Sequence, residues 1–561
     1  MVTADNRYIL SYNGEIYNFT ELRAELTAKG YSFVSRTDSE VLLYAFAEWG
    51  LDVLRRLNGM FAFAIWDRHE QTLTVARDRY GIKPLYYREV GSTFLFGSEI
   101  KAILSHGSTK PQLDHEGLSE YLAFQNFFTP RTLFKGIKLL PSGSYLQIGI
   151  NSKSLEPIQY WDFDFQEPEI ARPLAEYVEE ADYLFRQAVS RQLVSDVSIG
   201  SYLSGGIDSG SITALAARQL PWIRSFTVGF DLNSASGVEM GFDEREAAEF
   251  MSYLFKTEHY EMVLKAGDME RIMPILVYSL EEPRVGQCYP NFYAASLASK
   301  FVNVVLSGAG GDELFGGYPW RYYRAVVNDD FDQYVDKYFA YWQRLVPEAS
   351  RQALLAPIWS SVKDCLPRDI FSSVFRSHAS SLTRPEDYIN HSLYFEAKTF
   401  LHGILIVEDK LSMANSLESR VPFLDNELVD FAMKLPVSAK LTSLSEVLRL
   451  DENEAGGKGN RYYQKTRDGK VVLREMMKRY IPSKITNRTK QGFSAPDASW
   501  YKGESIEYVR NRIINSNARI YDLLDRKTVH GLICDHLEGR ENRRLLIWSL
   551  LYLEQVMESY L

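Results

Sequence analysis

Four short apolar runs separated by helical segments are the feature that most limits how this chain can fold. The runs lie between residues 197 and 306. Strands that alternate with helices at this distance form parallel sheets. We therefore predict a doubly wound parallel sheet here. The predicted strands are Val197–Leu203, Ile223–Phe230, His259–Val263 and Val302–Leu306, and the predicted helices include Leu174–Leu193, Asp208–Arg218 and Glu244–Leu254.

The glycine-rich segment Ser204–Ser209, with the sequence SGGIDS, follows the first of these strands and precedes a helix. Glycines let the backbone approach an anion closely, and the amides at a helix N-terminus point toward that anion. This predicts a phosphate-binding loop. The segment has neither the GK[ST] ending of a Walker A loop nor the GxGxxG spacing of a dinucleotide site. The alternative is a plain strand-to-helix turn in which Asp208 caps the helix.

The first 165 residues have a different pattern, which predicts an α+β domain. Its helices are predicted at Phe19–Lys29 and Asp38–Trp49, and its β-rich runs have the short turns of an antiparallel meander. We place the domains at residues 1–165 and 166–561, with a mostly helical region from Pro319 onward and a mobile surface loop at Leu450–Lys470. The β-rich runs are Tyr8–Tyr12, Met60–Trp66, Leu73–Arg77, Leu85–Tyr87 and Thr93–Phe96.

Composition excludes several classes of protein. The chain has 63 basic and 73 acidic residues, a formal net charge of −10, which argues against binding to nucleic acid or to an anionic membrane. Its three cysteines, Cys288, Cys365 and Cys534, form no CxxC pair, so neither a disulfide framework nor a thiolate metal site is predicted. No secretory signal and no transmembrane run is readable, and we expect a cytoplasmic protein.

Two motifs give the chain a family resemblance. SGGxDS at Ser204–Ser209 is the pyrophosphate loop of the N-type ATP pyrophosphatases, and Leu306–Tyr318, LSGAGGDELFGGY, resembles the matching segment of glutamine-dependent asparagine synthetases. The resemblance implies cleavage of ATP between its α and β phosphates. Asp208 and Asp312 are natural ligands for the Mg²⁺ of MgATP, because Mg²⁺ takes one or two carboxylates together with phosphate oxygens. By itself, Asp312 would be a turn residue.

Further motifs extend the predicted synthetase site. Arg488–Pro496 resembles the segment whose lysine contacts the phosphates, so Lys490 joins Asp208 and Asp312 as a predicted catalytic residue. In Ser412–Asp425, which resembles the helix and turn lining that site, Arg420 could hold a substrate carboxylate or pair with Glu418 or Asp425. Glu282 is a second substrate-site candidate. The predicted ATP-binding residues are Leu203, Ser204, Gly205, Gly206, Asp208, Ser209, Val228, Ser307 and Gly308.

The amino-terminal segment resembles the glutaminase half of the same family, which implies an Ntn-hydrolase-like fold. Asn13, Gly14 and Glu15 match a motif that supplies oxyanion donors and glutamine contacts, and Asp38 matches the acid that holds the glutamine amino group. Without the resemblance, Asn13-Gly14 would be a hairpin turn and Asp38 a helix N-cap.

The chain departs from this family at two points. The family nucleophile is a cysteine just after the initiator methionine, yet Val2 follows Met1 and no cysteine precedes Cys288. We expect no glutamine hydrolysis by the chain as written, either because its start is incomplete, which we favour since missing strands would expose sheet edges, or because it uses ammonia or a partner's glutaminase. Ala309 stands where asparagine synthetases carry an acid, so either Glu281, Glu282 or water replaces that acid, or the acceptor is not aspartate.

The predicted reaction is ATP-dependent amide formation through an acyl-adenylate. Aspartate is the predicted acceptor, and the nitrogen comes from glutamine in a complete protein or from ammonia in this chain. The rivals are amidation of another carboxylate, on a surface sugar or a peptide, and a non-catalytic scaffold. The predicted partners are small molecules, with ATP and Mg²⁺ as cofactors and a homodimer as the expected assembly.

Overall fold

The computed structural model describes residues 1–107, 110–149, 155–323, 326–375, 382–442, 468–488, 494–515 and 517–561. Lys490 and most of the predicted Leu450–Lys470 loop therefore lie outside the described residues.

Two antiparallel sheets form the amino-terminal half. Strands β1, β2, β3, β7 and β8 pair in that order, and β4 pairs with β5 and β6 in a second sheet. The predicted meander is therefore wrong between β3 and β4, because β3 pairs with β7 instead. The strands are β1 Tyr8–Ile16, β2 Gly59–Asp67, β3 Thr72–Arg77, β4 Tyr86–Val90, β5 Thr93–Gly97, β6 Lys138–Leu139, β7 Ser144–Gly149 and β8 Ile158–Gln159.

Helices cover one face of the first sheet. Leu22 and Leu26 of α1 and Val41 and Leu42 of α2 are buried in one cluster with Phe61 of β2. Helical spacing of these apolar residues explains why the sequence specified both helices. The helices of this half are α1 Phe19–Ala28, α2 Asp38–Trp49, α3 Val53–Arg56, α4 Ile100–Leu104 and α5 His115–Phe124.

A five-stranded parallel sheet forms the centre of the second half, as predicted. The strands are β9 Ile199–Tyr202, β10 Arg224–Phe230, β11 Glu258–Leu264, β12 Val304–Leu306 and β13 Glu418–Arg420. Their order is β11, β10, β9, β12, β13, and every pair is parallel. The order reverses between β9 and β12, so the loops that leave these two strands diverge and open a crevice. Strand β13 lies inside the segment predicted as helix and turn.

The remaining helices surround this sheet and build the carboxyl-terminal region. A π-helical turn at Ala397–Leu401 joins two of them, α17 and α18. The helices are α6 Leu174–Gln192, α7 Ile207–Gln219, α8 Arg245–Phe255, α9 Asp268–Leu280, α10 Tyr289–Ala298, α11 Gly311–Phe315, α12 Pro319–Tyr322, α13 Phe331–Trp342, α14 Glu348–Leu354, α15 Trp359–Val362, α16 Pro367–Ser373, α17 Pro385–Glu396, α18 His402–Met413, α19 Asn426–Met433, α20 Val471–Met477, α21 Ser483–Thr486, α22 Asp497–Trp500, α23 Ile506–Val509, α24 Arg526–Leu537 and α25 Arg544–Tyr560. Among the described helices, none has the length and apolar character needed to cross a bilayer.

Buried polar contacts join the two halves. The Lys83 ammonium lies 2.7 Å from the Asp409 carboxylate, and both side chains are at most 5% exposed. Asn58 donates to Asp425 at 2.9 Å across the same interface. Because removing either partner of a buried ion pair leaves an uncompensated charge, these contacts tie the halves firmly together. The exact domain boundary near residue 165 stays a prediction.

Candidate active site

Hydrogen bonds to its own serine hydroxyls fix the conformation of the loop between β9 and α7. The Ser209 hydroxyl accepts from the Ser204 backbone N–H at 3.0 Å, and the Ser204 hydroxyl accepts from the Gly206 N–H at 3.1 Å. Ser204, Gly205, Gly206, Asp208 and Ser209, five of the predicted ATP-binding residues, line one cavity. The predicted phosphate loop is therefore a concave surface at the N-terminus of a 13-residue helix.

A second glycine loop, which leaves β12, closes against the first. A Cβ on Gly308 would lie 3.1 Å from the Asp208 Cβ, and one on Gly311 would lie 2.6 Å from the Asp208 Oδ1. Glycine is required here because any side chain would push the loops apart. Ser307 and Gly308 thus meet the phosphate loop at the strand-order reversal, while Leu203 follows β9 and Val228 lies within β10.

Lys470 connects the two loops electrostatically. Its Nζ lies 2.5 Å from Asp208 Oδ2 and 2.6 Å from Asp312 Oδ1, and its side chain is 3% exposed. The sequence pattern predicts Lys470 only as the end of a mobile surface loop, so Lys470 is not among the predicted site residues. The available signal was the pair Gly469-Lys470 directly before α20, where a glycine with φ of 88° turns the chain toward the cavity.

Two arginines add positive charge to the same cavity. Arg474 and Arg488 both line it. Arg488 donates to the Gly205 carbonyl at 3.4 Å, and Arg474 donates to the Gly469 carbonyl at 2.8 Å. Such a cluster of cations around backbone amides suits a polyphosphate. Lys490, predicted for this role, lies outside the described residues.

Asp208 and Asp312 also fit a divalent cation. Both carboxylates reach the same Lys470 Nζ, so they lie close enough to share one cation. No group of three or more metal-ligating side chains occurs in the described part of the chain. Two carboxylates beside a phosphate site are the usual protein share of a Mg²⁺ site.

A second group of predicted residues lies on β1 in the amino-terminal half. Asn13, Gly14 and Glu15 are consecutive residues of this strand, opposite Ala62, Phe61 and Met60 of β2. The hairpin-turn alternative is therefore wrong. Gly14 is needed because a Cβ there would lie 2.2 Å from the Met60 carbonyl oxygen.

Asp38 packs against this strand. It accepts from the Tyr12 hydroxyl at 2.7 Å and from the Ile16 N–H at 3.0 Å, and the N-cap of α2 is Thr37 instead of Asp38. Desolvation raises the pKa of Glu15 to about 7, although Arg420 opposes this shift. The structure thus brings all four predicted glutamine-site residues together.

Comparison with known proteins identifies the family. The profile described as "Asparagine synthase" matches residues 180–558, and that described as "Glutamine amidotransferase domain" matches residues 1–161. The chain is 32% identical to asparagine synthetase [glutamine-hydrolyzing] 1 of Bacillus subtilis, over 98% of this chain and 85% of that protein. The chain belongs to the asparagine synthase family. The relatives named asparagine synthetase are carbon–nitrogen ligases, and so is this chain.

Two other proteins are similar to this chain over most of its length. Asparagine synthetase [glutamine-hydrolyzing] 3 of Bacillus subtilis is 31% identical over 94% of this chain and 82% of its own length. Amidase chyE of Penicillium rubens is 27% identical over 93% of this chain and 82% of its own length.

Arg420, a predicted substrate residue, is held by contacts within the protein. Arg420 is 3% exposed, pairs with Glu418 at 2.6 Å and donates to the Gln192 carbonyl at 2.9 Å. The ion-pair alternative with Glu418 is thus the one that forms, whereas Asp425 pairs with Arg191 at 3.1 Å. A substrate role for Arg420 stays a prediction that these contacts do not support.

The acids suggested as substitutes at Ala309 are also committed elsewhere. Glu282 pairs with buried Arg284 and accepts from the Leu133 N–H at 3.0 Å. Glu281 pairs with Lys410 and accepts from the Ile100 N–H at 2.9 Å. Burial alone would raise the pKa of Glu281, but the neighbouring lysines outweigh burial and lower it. Both glutamates connect the halves of the molecule, and none of their contacts with described residues reaches the loop around Ala309.

Proposed function

We propose that this protein forms an amide from a carboxylate, ATP and ammonia, with aspartate as the acceptor. A carboxylate oxygen attacks the α-phosphate, pyrophosphate leaves, and ammonia then displaces AMP from the acyl-adenylate. The observation that carries the proposal is Lys470, which bridges Asp208 and Asp312 where two glycine loops meet at the strand-order reversal. This arrangement suits a nucleoside triphosphate.

The roles of the site residues follow from their charges. Backbone N–H groups in the first turn of α7 would hold the phosphates, and Lys470 would offset the charge that develops on departing pyrophosphate. Asp208 and Asp312 would hold Mg²⁺, which when bound neutralises phosphate charge. Lys490 remains a proposed second cation. Orientation by these groups supplies most of the rate in transfers of this kind.

The choice of nitrogen donor depends on the amino-terminal half of the chain. Relatives named glutamine-hydrolyzing and the amidotransferase profile support glutamine binding at Asn13, Gly14, Glu15 and Asp38. No cysteine precedes Cys288 in this chain, so ammonium is the nitrogen source to test first.

Release of AMP and pyrophosphate from MgATP tests the proposal. Aspartate is compared with no acceptor, and ammonium chloride with glutamine. AMP that depends on both aspartate and ammonium is the expected result. AMP that forms without either would overturn the aspartate assignment, and a carboxylate panel of uronic acids and peptides would then define the acceptor.

A further inference from the structure

Glu408 on α18 makes contact with the nucleotide loop, although nothing above gives it a role. The Ser419 hydroxyl of β13 donates to Glu408 Oε1 at 2.5 Å. The Ser307 hydroxyl also hydrogen bonds to the Glu408 carboxylate. The Ser307 Oγ in turn accepts from the Ala309 N–H at 3.4 Å. The Ser307 hydroxyl therefore links the Glu408 carboxylate to the backbone of the loop at residues 307–311.

Glu408 differs from the charged residues beside it. Asp409 and Lys410, next on the same helix, are each buried in ion pairs with Lys83 and Glu281. Among the described residues, the partners of the Glu408 carboxylate are hydroxyl groups and not cations. Glu408 is half-buried, whereas Asp409 and Lys410 are buried.

Its surroundings favour the neutral carboxyl and hence proton uptake. Desolvation is the largest cause of a raised pKa at Glu408, and the negative charge of Asp409 adds to the shift, while its hydroxyl partners oppose it. Tyr202 of β9 is the other titratable group facing it. A carboxylate with a raised pKa is a better base.

The acids within the two glycine loops already have other partners. Asp208 and Asp312 share Lys470, and Glu313 accepts from the Tyr318 hydroxyl at 3.3 Å. The methyl group of Ala309 cannot accept a proton. Glu408 is thus the carboxylate that meets this loop through the Ser307 hydroxyl, and its described partners are hydroxyl groups.

Amide formation needs such a group. When ammonia attacks the acyl-adenylate, a C–N bond forms, the bond from the acyl carbon to the AMP oxygen breaks, and AMP leaves with that electron pair. The nitrogen then carries one proton too many. We propose that Glu408 accepts this proton, an assignment that rests on the proposed function.

Glu408→Gln separates the two chemical steps. Glutamine keeps a hydrogen-bond acceptor for Ser307 and Ser419 but cannot take up the proton. We expect exchange of labelled pyrophosphate into ATP, with aspartate present, to stay within about threefold of wild type. Ammonium-dependent asparagine formation should fall by about 10²-fold or more. Glu427→Gln, at an exposed glutamate of α19, is the matched control and should change neither rate.

Two further measurements distinguish a base from a structural support. Hydroxylamine is a weaker base than ammonia and loses its proton to water more readily, so Glu408→Gln should form the hydroxamate at close to the wild-type rate. Ala309→Glu in the Glu408→Gln background should restore part of the ammonium-dependent rate.

Three results would overturn the proposal. The first is asparagine formation at the wild-type rate in Glu408→Gln. The second is an equal loss of exchange and of amide formation in that variant, which would show that Glu408 only supports the loop. Absence of exchange in the wild-type protein would overturn the proposed function and this assignment together.

Discussion

The nucleotide loops and the β1 site differ in how their polar groups are used. At the nucleotide loops, two acids share one lysine, and arginines line an open cavity. At β1, Asp38 accepts from Tyr12 and Ile16, and Asn13 donates to the Ser98 hydroxyl at 3.1 Å. The first site concentrates charge around open space, whereas the second has paired its polar groups within the protein.

This difference shows how each site is prepared for a ligand. Charges facing a cavity are already oriented, so a polyphosphate would meet fixed groups and cost little reorganisation. At β1, a ligand must replace hydrogen bonds that the protein already makes, and its net gain is smaller. We therefore expect substitutions at the nucleotide loops to change mainly the reaction rate, and substitutions at the β1 site to change mainly the free energy of unfolding.

Lys83→Met tests whether the two regions form one cooperative body. It leaves Asp409 buried without its cation and should lower the free energy of unfolding by about 3–5 kcal/mol in urea titrations. Lys29→Met, at the exposed pair with Glu48, is the control and should cost about 1 kcal/mol or less. Equal losses for the two variants would contradict a tight interface.

Lys470→Met tests the charged character of the nucleotide site. Losing a cation that faces the phosphates should slow ATP–pyrophosphate exchange by about 10²–10³-fold, or about 2.7–4 kcal/mol. Lys478→Met, an exposed lysine paired with Glu475, is the control. If Lys470→Met exchanged pyrophosphate at the wild-type rate, the proposed role of Lys470 at the phosphates would be wrong.

Gly317→Ala tests the close packing of the second loop. The added Cβ would lie 1.9 Å from Asp312 Oδ1 and 2.8 Å from the Asp312 Cα, so the carboxylate must move. We expect at least a roughly tenfold loss of exchange. Gly503→Ala, whose Cβ would lie 3.5 Å from the nearest atom, should retain exchange. Similar rates for both variants would argue against a fixed Asp312.

Glu15→Gln tests the β1 site and has the smallest expected effect. The folded-state pKa of Glu15, about 7, exceeds its ordinary value of 4.5, so ionising it costs stability as pH rises from 4.5 to 7. The variant should therefore gain stability over wild type across that range and hold the gain above pH 7. After allowance for its partial exposure, the gain is on the order of 1 kcal/mol.

Urea titrations at pH 5 and pH 8 measure this gain. Glu21→Gln, at an exposed glutamate of α1, is the control. A gain larger at pH 5 than at pH 8 would show that Glu15 is stabilised as the anion and not destabilised by burial.

Local sequence patterns were enough to predict many elements. The predicted bounds of Asp38–Trp49 coincide with α2, and the strands of the parallel sheet lie within a few residues of their predicted positions. Apolar periodicity is a local property, so it can be read directly from the chain. The three-residue strand β13 was missed because so short a segment has no periodicity and pairs only through β12.

The sequence by itself determined that the first half is antiparallel and the second parallel, and it determined the glycine loops and the acids they carry. Only the tertiary structure decided which charges meet. Lys470 reaches Asp208 across 262 residues, and Arg420 pairs with Glu418 and leaves Asp425 to Arg191. Spacing along the chain cannot predict such partners, because they depend on which strand ends adjoin in the sheet and on how much burial each charge must offset.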